Sequence, residues 1–132
     1  MSALARYGIG LLLALHGLVH LWYVVLSQGW VEVEEAMGWN GTSLLLSGVL
    51  PEGVVLDGAS VLYVVVAAGF VVGGVGYAVR ARWATPVLVG SAVLSTVVVL
   101  LMWDGQLDRL ADKGLLGVLI NAFVLVWLLV LE

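Results

Sequence analysis

The chain has 132 residues, 63% of them hydrophobic and 11% charged, with a net charge of −4 and a mean hydropathy of +1.16. A soluble domain is closer to half apolar and a quarter charged, so the composition points to a single membrane domain with no separate soluble module. The absence of cysteine excludes thiolate metal sites, iron–sulfur ligation, covalent haem attachment and thiol–disulfide exchange by this chain, and five basic residues against nine acids exclude a nucleic-acid footprint.

The first predicted element is an apolar helix over 7–26. It is longer than the core of a cleaved leader, and Leu21-Trp22-Tyr23 follow its centre where small residues would mark a cleavage site, so it is expected to be retained. His16 lies at its centre and His20 one turn further along the same face. Gly10 and Ala14 give the helix a small-residue stripe.

Residues 27–57 form the long connection. Its first part, from Gly29 to Trp39, mixes acids with large apolar groups and is expected to lie on the membrane surface with Trp30 and Trp39 inward. Asn40-Gly41-Thr42-Ser43 reads as a turn, with the form of a glycosylation sequon. The stretch 43–50 reads as a short apolar helix, ended by Pro51-Glu52-Gly53. The loop is expected to cap the bundle; the alternative is a re-entrant lid over a cavity.

The second span is expected over 59–79. Its Gly69 and Gly73 form a small-xxx-small pair that lets backbones approach, either inside the bundle or between two copies in a homodimer. A tight basic turn with Arg80 and Arg82 leads to a third span over 83–103, where Pro86 is tolerated in the first turn. Ser95 and Thr96 sit near its middle, and their hydroxyls are expected to bond back to carbonyls one turn earlier. The fourth span, 114–131, carries Asn121 near its centre.

None of the four segments contains a charged side chain. Each is long enough to cross a ~30 Å hydrocarbon core at ~1.5 Å per residue. Lipid demands internally satisfied backbones, so the spans should be helices despite their valines. Short turns then give an all-α, antiparallel four-transmembrane-helix bundle. Arg6, Arg80 and Arg82 fall on one side and Arg109 and Lys113 on the other. This bias predicts a multi-pass cell-membrane protein with cytoplasmic N- and C-termini and the long loop outside.

Polar groups inside a membrane are the candidates for function. Here they are His16, His20, Ser95 and Asn121, with Trp22 as a neighbouring aromatic. His16 and Asn121 should lie at similar depth and could hydrogen-bond if spans one and four meet. The plain reading is a packing pair. One alternative is a lipid-soluble, quinone-like ligand held by His20, Trp22 and a loop aromatic. Another is a metal chelated by His16 and His20 from one helix face, with Asp104, Glu34 or Glu35 as third ligand. A haem would need its opposite axial ligand from a partner helix. No acid, base and nucleophile stand at catalytic spacing, which gives hydrolase chemistry no support; a small-solute transporter or channel is the third alternative, against which the lack of an intramembrane carboxylate argues where transport is proton-coupled.

Tyr7-Gly8-Ile9-Gly10 followed by Leu15-His16-Gly17-Leu18-Val19-His20-Leu21 resembles the first helix of DoxX-like membrane proteins. The glycine-rich second span and the basic turn Gly76-Tyr77-Ala78-Val79-Arg80-Ala81-Arg82 are similar too. Where that family commonly has a Lys three residues after the Gly, this chain has His20. The resemblance implies a four-helix membrane bundle that partners a membrane-associated oxidoreductase. The expectation is therefore a non-catalytic subunit that docks a redox partner or binds a lipid-soluble ligand.

Overall fold

The computed structural model describes residues 1–32 and 39–132. Among these residues no strand forms, and four helical stretches are long and apolar enough to cross a membrane: Ala3–Ser27, Glu52–Ala78, Ala84–Leu101 and Ala111–Leu131.

The first stretch is two helices, α1 (Ala3–Val19) and α2 (Leu21–Ser27), which meet at His20. Ser2 starts α1 ahead of residue 7 by accepting the Ala5 N–H at 3.1 Å. The break has a local cause. The His20 ring donates from Nδ1 to the His16 carbonyl at 3.0 Å, and the His20 backbone N–H turns to Gly17 O at 3.1 Å. A side chain has claimed the acceptor that the helix would use, so the turn tightens.

Helix α3 (Glu52–Ala78) begins well before residue 59. Pro51 precedes it with φ −59°, a value preset for a helix start, and its carbonyl accepts the N–H groups of Val54 and Val55. Glu52 then sits at the positive end of the helix dipole. The helix closes with Ala81 N–H on Gly76 O (2.8 Å) and Arg80 N–H on Tyr77 O (3.1 Å), a Schellman closure in which Arg80, at φ 61°, takes the left-handed position.

Helices α4 (Ala84–Leu101) and α5 (Leu116–Val126) follow, with wider π-type turns over Ala111–Leu115 and Trp127–Leu131 on either side of α5. Gly114 interrupts the first of these at φ 107°. A Cβ there would also lie 2.8 Å from Val99 Cγ1, so both backbone and space require glycine.

Small residues set the packing. A Cβ on Gly10 would lie 2.5 Å from Gly74 O, and Gly74 in turn faces Ala14. Gly17 faces Ala67 and Phe70, while Gly69 and Gly73 face Ser91 and Leu88 of α4. Thus Gly10 and Ala14 bring α1 onto α3, and Gly69 and Gly73 bring α3 onto α4. As residue numbers rise along one helix they fall along its neighbour. Helices α4 and α5 also pack, whereas α1 and α5 hardly touch.

The connection after α2 closes one end. Trp39 is 4% exposed and joins Tyr23, Val55, Tyr63 and Met102 in the core; its Nε1–H donates to Thr42 O at 2.8 Å. Leu44 N–H donates to Trp103 O at 2.7 Å, and Ser43 Oγ–H to Leu101 O at 2.5 Å. The short helix expected over 43–50 is replaced by successive turns. The Ser43 and Ser47 hydroxyls accept the backbone N–H groups of Leu46 and Ser43, an alternative to the helical ladder. Trp30 is exposed. The acidic stretch with Glu34 and Glu35 lies outside the described residues.

Candidate functional site

Helix α1 carries His16, half-buried, in its last turn, midway along the Ala3–Ser27 stretch, and the tight turn after it swings His20 inward to 4% exposure. Opposite them stand Ser95 on α4 and Asn121 on α5, both fully buried at 0%. His16 Nε2 lies 2.9 Å from Asn121 Oδ1, His20 Nε2 2.6 Å from Ser95 Oγ, and Asn121 Nδ2 2.8 Å from Ser95 Oγ and 3.3 Å from Thr96 Oγ1.

Carbonyl oxygens fix the direction of every bond. Thr96 donates its proton to Ala92 O at 2.9 Å, so its oxygen accepts from the Asn121 amide. That orients Asn121 with Oδ1 toward His16, and His16 must donate from Nε2. His20 donates from Nδ1 to the carbonyls of His16 and Gly17. Its Nε2 is then bare and accepts the Ser95 hydroxyl. One self-consistent arrangement of neutral groups results, and it assigns a tautomer to each histidine.

The arrangement leaves one polar atom over. Both ring nitrogens of His20 are engaged, but His16 Nδ1 has no hydrogen-bond partner among the described residues. Every fully buried side-chain nitrogen or oxygen among those residues does have one, so Nδ1 is reachable from outside the core.

His16 borders the open α1–α5 seam. A groove of about 460 Å³ is lined by Ile9, Leu12, His16, Phe123, Val124 and Trp127. A second, of about 240 Å³, is lined by His16, His20, Tyr23, Gly114, Gly117 and Ile120. His16 and Ile120 border both. The seam is largely apolar, with His16 at its middle and His20 and Tyr23 also bordering the smaller groove.

Aromatic rings back the network. His16 meets His20 edge-on at 5.1 Å and Phe70 at 4.8 Å, His20 stacks on Phe70 at 5.8 Å, and Tyr23 stacks on Tyr63 at 4.8 Å. Sequence reasoning passed over Tyr23, Tyr63 and Phe70. Their apolar surroundings give no phase, and only the helix pairing shows which faces they share. Trp22 is 41% exposed and is not among the groove-lining residues; its neighbour Tyr23 is. Ser95 departs from the expected back-bond, which Ser91 and Thr96 do make to Val87 O and Ala92 O.

Of the proposed metal ligands, His16 and His20 are adjacent but share only one unclaimed nitrogen. Asp104 is ion-paired with Lys113 at 3.0 Å, and Glu34 and Glu35 lie outside the described residues. Among the described residues no group of three or more His, Cys, Asp or Glu converges. No family model, curated protein or solved structure matches the chain, and the DoxX-like resemblance gains no support from them.

Proposed function

We propose that this chain is a multi-pass protein of the cell membrane that binds a lipid-soluble, quinone-like molecule in the seam between α1 and α5. The observation that carries this reading is the accessible His16 Nδ1 at the junction of two apolar grooves. A ligand site in lipid needs an apolar trough for a tail and one placed polar group for a head. The larger groove takes the tail and His16 meets the head. The aligned histidine, amide and hydroxyl groups hold the imidazole in place. The role is binding and presentation, as a non-catalytic subunit beside a membrane-associated oxidoreductase, consistent with the DoxX-like resemblance. The spans alternate in direction, with both termini cytoplasmic and the loop around Trp39 outside.

Native mass spectrometry after gentle extraction tests this. The wild type should retain a lipid-soluble mass. Leu12→Trp and Gly117→Phe, which narrow the two grooves, should lose it. Val93→Trp, on an exposed face away from the seam, should keep it. A bare wild-type protein, or retention in all three variants, would overturn the proposal.

A further inference from the structure

We infer that the seam selects its occupant by hydrogen-bond polarity, taking a lipid-soluble hydroxyl compound in preference to the matching ether or carbonyl compound. The head is an isoprenoid-type alcohol, or the hydroxyl form of a quinone-like ring, and its O–H donates to His16 Nδ1. This inference rests on the seam-binding reading above and adds the chemical class of the head group.

The selection originates at the far end of the network. Thr96 gives its proton to Ala92 O and can only accept from Asn121. Asn121 therefore shows its oxygen to His16. His16 is held with the proton on Nε2, and the nitrogen at the seam is a bare acceptor. Moving that proton to Nδ1 would set a bare Nε2 against Asn121 Oδ1, lone pair against lone pair. Rotating the Asn121 amide by half a turn does not help. Ser95 would then have to donate to Asn121, stranding His20 Nε2, and Thr96 would have to abandon Ala92 O. A second proton on His16 would place a charge in the membrane interior. An acceptor-only head thus meets a lone pair, while a hydroxyl meets a partner.

The test uses the full chain in nanodiscs and two probes with one tail, farnesol and farnesyl methyl ether, competed against tritiated farnesol. Farnesol should bind about tenfold more tightly than the ether, the size of one net hydrogen bond. In His16→Phe the two should come within about twofold of each other. Ether binding equal to farnesol in the wild type would overturn the selection while leaving the seam site standing. Farnesol binding that is unsaturable, or unchanged in Leu12→Trp, which fills the larger groove, would overturn the seam site itself and the selection with it. Should His16→Phe not fold, ring 15N shifts of wild-type His16 decide: the protonated signal must belong to Nε2, and a protonated Nδ1 overturns the inference.

Discussion

Asn121 ties three helices together, with its oxygen on His16 of α1 and its nitrogen on Ser95 and Thr96 of α4. Replacing it with Leu strands several donors and acceptors at once, each buried orphan costing about 1–3 kcal/mol. Asn121→Leu should therefore lower stability measurably in reversible SDS unfolding. The double variant His16→Leu/Asn121→Leu should lose less than the two single losses added, by about 0.6–2 kcal/mol; additive losses would contradict a direct bond. The His16–Asn121 encounter was legible in the sequence, because each is a polar residue about halfway along an apolar span. The Ser95 bond was not legible. A hydroxyl in a helix ordinarily returns its proton to its own backbone, and the inward swing of His20 gives the Ser95 proton a different acceptor. Trp22 and Tyr23 are one residue apart, about 100° around the helix. With apolar residues on all sides, the pattern carries no phase to say which of them meets the seam.

Between elements, glycine positions decide how closely helices approach. Gly10→Ala should destabilise the protein, because the new methyl would lie 2.5 Å from the Gly74 carbonyl, a backbone atom that cannot give way. Gly90→Ala should be neutral or stabilising by about 0.5–1 kcal/mol, because its Cβ would meet nothing within 4 Å. Gly114→Ala should cost about 1–3 kcal/mol from backbone strain alone, with the Val99 contact added. The unfolding assay separates the three, and equal effects would contradict the packing described here. That Gly69 and Gly73 serve close approach was readable from their spacing. Which helix they meet was not, because α3 carries small residues toward both α1 and α4. The connection into α5 is held by Lys113 between Asp104 and Asp108. The hydrogen bond from Lys113 holds the Asp108 carboxyl below the usual carboxylate range. A lowered value favours the folded state above that range and loses its contribution as pH falls through it. Amide exchange around Gly105 should accelerate on acidification in the wild type, and less so in Asp108→Asn, where the pair is already gone.

In the whole molecule, three helix contacts are close and one is open. Glycine, alanine and serine line the contacts of α1 with α3 and of α3 with α4. The seam-facing residues of α1 and α5 are mostly bulky, Leu12, Ile120, Phe123 and Trp127 among them, and His16 and Asn121 bridge it with a hydrogen bond. Composition alone made four apolar helices legible. It could not show that the fourth stands off from the first, since bulky apolar residues suit lipid and a neighbouring helix equally well. Orientation follows from the same whole-chain view. The chain has no native cysteine, so single replacements report cleanly. Val49→Cys should label from outside intact cells and Ala81→Cys, which keeps every basic residue of the turn, should not; the reverse pattern would invert the proposed topology.

Photolabelling tests the seam most directly. A farnesol analogue with a diazirine in its tail would be crosslinked to the protein in nanodiscs and the adducts mapped by peptide mass spectrometry. Labels should concentrate on residues 9–16 and 120–127, fall away with excess farnesol, and vanish in Leu12→Trp. Labels spread evenly over the outward faces at Val61, Val72 and Val93, and indifferent to competition, would contradict a ligand site between α1 and α5.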